Sequence, residues 1–252
     1  MISKNQLKEL CGYRKQKQCD EEGVFVVEGV KMCEEALASG FHIRAIAATS
    51  DWLECHGTTT SDAVYEVSDA ALERLSGMTT PNKVWMLLCR PKEKKGDRRV
   101  TLEEGLVLAL DRLQDPGNMG SIIRTADWYG VRHIFCSPDT VCCYNPKAVQ
   151  ASMGGLLRTR LHYTPLVPLL DEFLRNGHRV LGAMLDGEDV KRVATRDGEK
   201  PPVLVIGNES RGISPEVASR VSHRIVIPNR GGTAESLNAS IAAAVLMDNL
   251  LR

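Results

Sequence analysis

The sequence predicts an α/β protein, with a C-terminal parallel-sheet domain preceded by a smaller α/β domain. Short apolar runs alternate with amphipathic stretches along most of the chain, as strands and helices do in layered folds. Two runs, Leu106-Val107-Leu108-Ala109-Leu110 and Val203-Leu204-Val205-Ile206, are apolar throughout, which marks strands covered on both faces. Between the two halves, residues 90–101 read RPKEKKGDRRVT: polar, broken by Pro91 and Gly96, with six basic side chains against two acidic. The expected organisation is a domain over 1–92, a basic linker over 93–101 and a second domain over 102–252.

Element by element, a weak helix over Gln6–Cys11 precedes a buried strand over Val24–Val27 and an amphipathic helix over Lys31–Ala38, ended by Gly40. Strands at Ile43–Ala48 and Ala63–Val67, a helix at Asp69–Leu75 and a strand at Val84–Leu88 complete the first half. After the strand at Leu106–Leu110, Asp115-Pro116-Gly117 reads as a turn, and Asn118 as the cap of a helix over about 119–129. Met119, Ile122, Ile123 and Ala126 form that helix's buried face, so Arg124 falls on the opposite side. A strand at 133–136, helices at 145–153 and Leu166–Arg175, and strands at Arg179–Met184, Val203–Ile206 and Ile225–Ile227 follow. Ser236 is expected to cap a closing helix over Ser236–Leu251, with Leu237, Ile241 and Val245 as its buried stripe.

Composition narrows the function classes. The 252 residues are 43% hydrophobic and 25% charged, which is globular rather than disordered. No apolar run approaches the roughly 18 residues a membrane helix needs, and the opening MISKNQLKEL lacks an export signal. The eight cysteines contain no C-x-x-C pair and read as reduced thiols of a cytoplasmic protein. Cys55-His56 and Cys142-Cys143 are too few ligands for zinc, so no metal is expected. With 32 basic and 32 acidic residues, any nucleic-acid contact must be a local patch.

The chemistry-bearing residues lie just after three buried strands, where ligands of parallel sheets bind. The first corner runs from Leu108 to Arg124, with Arg124 either an ordinary exposed helix residue or a phosphate clamp. In the second, Gly207-Asn208-Glu209-Ser210-Arg211-Gly212, Glu209 is a ligand-side carboxylate, an N-terminal helix charge or half of a salt bridge with Arg211. The third is Ile227-Pro228-Asn229-Arg230-Gly231-Gly232 leading to Ser236-Leu237-Asn238, then a helix face rich in alanine that suits close packing or self-association. Neither G-K-[ST] nor G-x-G-x-x-G follows these strands, which argues against a P-loop or a dinucleotide site.

Taken together, N-x-x-x-x-x-R at Asn118–Arg124, G-N-E-x-x-G at Gly207–Gly212, and I-P…S-L-N at Ile227-Pro228 and Ser236-Leu237-Asn238 resemble the three ordered motifs of the SpoU (TrmH-like) RNA ribose 2′-O-methyltransferases of the SPOUT superfamily. Phe25-Val-Val-Glu-Gly29, with Glu35-Ala36-Leu37, resembles that family's frequent substrate-binding domain. The resemblance implies S-adenosylmethionine as methyl donor, a C-terminal trefoil knot and a homodimer with composite active sites. It also implies an RNA substrate, ribosomal RNA ahead of transfer RNA. It assigns Asn118, Arg124, Glu209, Ser236 and Asn238 to the active site, and Gly207, Asn208, Ile227, Pro228, Leu237 and Ala183 to the cofactor. Two departures flank the pocket: Asn229-Arg230 stands where many members have methionine, and Ser210 where glycine is common. Arg14, Lys15 and Lys17 near the N-terminus, and Lys94, Lys95 and Arg98 in the linker, are the expected phosphate contacts. A nucleotide-dependent enzyme of Rossmann type and a non-catalytic RNA-binding assembly factor are the competing readings.

Overall fold

The computed structural model describes residues 2–57, 60–78, 80, 83–91, 105–193 and 200–251. Ser3 opens helix α1 (Lys4–Gly12) with a capping box, its hydroxyl accepting from the Gln6 N–H while the Gln6 side chain accepts from the Ser3 N–H. Helix α2 (Gln16–Glu22) follows, a polar segment that buries only Cys19 and so carries no apolar period to betray it. Then come β1 (Val24–Glu28), α3 (Val30–Ala38), β2 (Ile43–Ala48), α4 (Ser50–His56), β3 (Val64–Glu66), α5 (Asp69–Leu75) and β4 (Val84–Cys89). Further along lie β5 (Val107–Leu110), α6 (Pro116–Trp128), β6 (His133–Cys136), α7 (Pro146–Ser152), β7 (Arg160–Tyr163) and α8 (Leu166–Arg175). The chain closes with β8 (Val180–Asp189), β9 (Val203–Ile206), α9 (Pro215–Ala218), β10 (His223–Val226) and α10 (Ala239–Leu250). The sequence reading has no counterpart for α4, β7 or α9, each only four to seven residues long.

The chain divides into two compact units, Met1–Asp97 with Tyr144–Leu157, and Arg98–Cys143 with Arg158–Arg252. In the first, the sheet order is β1-β4-β2-β3, antiparallel except for the parallel β2–β3 pair. Leu10, Tyr13, Leu72, Leu75, Trp85 and Leu87 belong to its core. In the second, six strands in the order β10-β8-β9-β5-β6-β7 are all parallel. One face of that sheet, with Val107, Ala109, Val203 and Val205, packs against Leu166, Leu170 and Phe173 of α8 and Val217 of α9. Alternation sends Leu108, Leu110, Leu204 and Ile206 to the opposite face, all buried. That is why β5 and β9 read as unbroken apolar runs. Truncating any one of these leucines to alanine would cost about 2–5 kcal/mol.

Two sequence expectations are corrected at helix ends, and a third on a helix face. Helix α6 begins at Pro116 and its cap is Asp115, whose carboxylate accepts from the Asn118 N–H at 2.7 Å, so Asn118 lies inside the first turn. A proline at the first helical position with Asp before it is the stronger start signal, because the ring presets φ and an N–H is not needed there. Helix α10 begins at Ala239 and is capped by Asn238, not Ser236: the Asn238 Oδ1 accepts from the N–H groups of Ser240 at 2.9 Å and Ile241 at 3.4 Å. Its buried side is Ala239, Ala243, Leu246, Met247 and Leu250, whereas Leu237 and Ile241 are about half exposed (49% and 53%). Because α10 is apolar nearly all round, periodicity could not tell its core side from its outer side.

Candidate active site

Strands β5 and β9 are neighbours, and their loops leave the same edge of the sheet side by side. The first loop is fastened at its root. Asp111, buried, accepts from the Ser214 N–H at 2.6 Å, and its own N–H donates to the Ile206 carbonyl at 2.8 Å. Arg112 then takes φ of +56°, a conformation costly for a side chain bearing Cβ. Three bonds hold it there: its N–H donates to Ser137 Oγ at 2.8 Å, and its carbonyl accepts from Asn208 Nδ2 at 2.8 Å and Gln114 Nε2 at 3.3 Å.

The second loop folds back on itself. Asn208 and Gly212 exchange backbone hydrogen bonds of 3.0 and 2.9 Å, and Asn208 Oδ1 accepts from the N–H groups of Ser210 and Arg211, both at 3.0 Å. Gly207 has no room for a side chain, since a Cβ there would lie 2.3 Å from Gly212 C and Ile213 N. This fold presents Glu209 to the first loop. Its carboxylate accepts from the Gln114 N–H at 3.2 Å, the Asp115 N–H at 3.1 Å and Asn118 Nδ2 at 3.0 Å. Burial pushes the Glu209 carboxyl up, but the bonds from Asn118 and from backbone N–H groups outweigh it, so the group sits below its ordinary value of 4.5. Of the alternatives for Glu209, the salt bridge with Arg211 is not formed, and these contacts engage the carboxylate instead.

Asn118 passes the connection on. Its Oδ1 accepts from Asn238 Nδ2 at 2.9 Å, and Asn238 caps α10. Glu209, Asn118 and Asn238 therefore form one chain of hydrogen bonds, joining residues 91 and 120 positions apart. Arg124 lies two turns further along α6, exposed, and makes no hydrogen bond or ion pair with any described residue. Ser236 and Leu237 are exposed just before the α10 cap, and neither makes a hydrogen bond to a described residue. Ile227 and Pro228 are half-buried just beyond β10, and Ala183 is half-buried within β8. The departure at Asn229 has a structural role: its Nδ2 donates to the carbonyls of Gly232 and Ala234, and its Oδ1 accepts from the N–H groups of Gly231 and Gly232. One side chain thus organises the 229–234 loop.

Arg14, Lys15 and Lys17 are exposed around the α1–α2 turn of the first unit. Arg14 donates to the Arg74 carbonyl at 3.3 Å, and Lys17 pairs weakly with Glu21 at 3.8 Å. Lys94, Lys95 and Arg98, with the whole 93–101 linker, lie outside the described residues. All eight cysteines are free thiols, and no group of metal-ligating side chains occurs among the described residues. Sequence reasoning gave no role to Asp111, Arg112 and Gln114 and took Asn229 only as a departure, although all four position the loops.

A parallel α/β domain whose polar loops converge beyond the carboxyl ends of its strands defines a ligand-handling class of protein, here joined to a separate small α/β unit. Residues 105–248 match the SpoU rRNA Methylase family, and the chain belongs to that family. Residues 4–85 match the MRM3-like substrate binding domain. The 23S rRNA (guanosine(2553)-2′-O)-methyltransferase RlmP of Bacillus subtilis is 27% identical over 93% of this chain and 91% of its own length. A TrmH-family structure from Porphyromonas gingivalis is 38% identical, with a TM-score of 0.87 over 99% of this chain and 98% of that one. An AdoMet-bound rRNA methyltransferase from Sinorhizobium meliloti superposes with a TM-score of 0.83 at 28% identity, over 99% and 95% of the two chains.

Proposed function

We propose that this chain is an S-adenosylmethionine-dependent methyltransferase acting on a ribose 2′-hydroxyl of RNA, with ribosomal RNA as substrate. The observation that carries the reading is the Glu209–Asn118–Asn238 chain, which ties three motif loops together while leaving Arg124 uncommitted. The rRNA 2′-O-methyltransferase related to it in sequence and the AdoMet-bound structural neighbour support substrate and donor. The residues present suit that donor. Leu237 exposes apolar surface, its peptide groups make no hydrogen bond to a described residue, and Gly207 offers backbone where a side chain has no room. Gly207, Asn208, Ile227, Pro228, Leu237 and Ala183 are the proposed cofactor contacts.

S-adenosylmethionine supplies an already activated methyl on its sulfonium. The protein's task is alignment, and removal of one proton from the hydroxyl as the O–CH₃ bond forms. Arg124 is unsuited to accept that proton, because a neutral guanidine is costly at pH 7 when the group's pKa exceeds about 12. It holds an RNA phosphate and polarises the 2′-hydroxyl, and the phosphate or water takes the proton. Glu209 is unsuited as a base for a different reason: its oxygens are engaged by three donors and its pKa is lowered. Glu209, Asn118 and Asn238 orient the loops, and Ser236 faces the ribose.

The enzyme works as a cytoplasmic homodimer, its C-terminal domain carrying the family's trefoil knot. Exposed Leu185 (75%), Leu237 and Ile241 support self-association of the catalytic unit. Arg14, Lys15 and Lys17 contact RNA phosphates, joined by Lys94, Lys95 and Arg98 of the 93–101 linker. Mapping ribose methylation across ribosomal RNA incubated with the protein and S-adenosylmethionine tests the reading. Arg124→Ala is expected to abolish methylation while calorimetry still detects S-adenosylhomocysteine binding. Normal methylation by that variant removes Arg124 from the mechanism, and binding of NAD in preference to S-adenosylhomocysteine refutes the assignment.

A further inference from the structure

Helix α6 ends on an apolar residue that its core does not use. Trp128 is 84% exposed, against 3% for Trp52 and 1% for Trp85. The residue before it, Asp127, is clasped by Arg158, whose Nε donates to both carboxylate oxygens at 3.0 Å. The chain turns through Gly130 at φ +72°, and Arg132 follows. Arg160 opens the adjacent strand, its N–H donating to the Arg132 carbonyl at 2.8 Å. Arg132 and Arg160 are exposed, and neither side chain forms an ion pair with a described residue.

Along the second half of α6 and at the starts of β6 and β7 the charge is one-sided. Arg124, Arg132, Arg158 and Arg160 stand against Asp127, which Arg158 already holds, and Asp248, which accepts from Tyr129. Neighbouring His133 senses this: burial first, then His162, Arg160 and Arg132 bring its pKa down to about 4. An exposed aromatic on a unit edge that also carries exposed, unpaired Arg132 and Arg160 is poorly suited to a twofold contact with a second copy, which would set like charges face to face. It suits a single RNA strand, where a base stacks on the ring and phosphates meet the arginines.

We propose that Trp128, Arg132 and Arg160 form a single-stranded RNA contact on the catalytic unit, with the indole stacked on a base and the two guanidinium groups on flanking phosphates. The contact rests on the RNA-methyltransferase reading above. It lies one helical turn, about 6 Å along the axis, beyond Arg124, so a strand held there runs on toward the reacting ribose.

Because the other two tryptophans are buried, iodide-quenchable emission of the full-length protein reports on Trp128. Short oligouridylate at low salt is expected to quench it. Trp128→Ala should weaken oligouridylate binding on the order of tenfold. Arg132→Gln with Arg160→Gln should reduce the salt slope of binding by about 1.4. Wild-type affinity in Trp128→Ala, an unchanged salt slope, absent binding by the wild type, or binding without quenching overturns the proposal. A drop in sedimentation mass in Trp128→Ala also overturns it, in favour of a self-association face. Methylation of ribosomal RNA is measured in parallel: a wild type that binds oligouridylate through Trp128 but methylates nothing refutes the enzymatic reading and leaves the contact standing.

Discussion

Glu209→Gln keeps the shape of the side chain and removes its charge, so it isolates what the carboxylate does. In the wild type, Oε2 accepts from Gln114 N–H, and Oε1 from Asp115 N–H and Asn118 Nδ2, at 3.0–3.2 Å. Whichever way a glutamine amide is turned, its NH₂ opposes at least one of those N–H groups. A hydrogen bond to a charged group contributes about 1.5–3 kcal/mol, and the exposure of Glu209 favours the lower end. About 1.5 kcal/mol corresponds to a melting temperature lower by roughly 3–6 °C for a domain of this size. The deficit should depend on pH in a definite direction. The folded-state pKa of Glu209 is depressed below 4.5, so its stabilisation is complete above that pH and is lost as pH falls through the folded value. Thermal unfolding followed by circular dichroism should therefore show wild type and variant apart at neutral pH and converging in acid. Equal melting temperatures at neutral pH, or a gap that widens on acidification, would refute the role given to this carboxylate.

Asn238 has two duties that substitution can separate. Asn238→Asp keeps an acceptor for the Ser240 and Ile241 N–H groups but cannot donate to Asn118, so stability should hold while methylation falls; Asn238→Ala should lose both, with about 1 kcal/mol of stability. Equal activity in wild type and Asn238→Asp would show that the Asn118 link is dispensable. Gly207→Ala sets a methyl against immovable backbone at 2.3 Å, so calorimetry should find S-adenosylhomocysteine binding lost; retained binding would contradict the close-packed loop. His133, with its pKa depressed from 6.5 to about 4, stabilises fully above pH 6.5 and progressively less as pH falls toward 4. His133→Phe should flatten that part of the stability–pH profile, and an unaltered profile would assign the acid loss to other groups.

Much of this protein was legible from local chemistry. The apolar runs at Val107–Leu110 and Val203–Ile206 are strands because burial on both faces leaves no place for polar side chains. The three motifs needed only their order along the chain. Short elements escaped, since α2, α4 and α9 carry too little apolar period to register. The α10 stripe was misassigned because a helix apolar nearly all round does not say which side meets the core.

Residue types and spacing alone determined the layered α/β class, and the resemblance of three ordered motifs to a known family singled out the polar residues. Only the tertiary structure decided what those residues touch: that Glu209 serves Asn118 and the Gln114-Asp115 backbone rather than Arg211, that Asp115 and Asn238 are the caps, and that Asn229 clasps its own loop. Helix and strand formation answers to near neighbours in the chain. A hydrogen bond across 91 or 120 residues exists only once the sheet has brought two strand ends together.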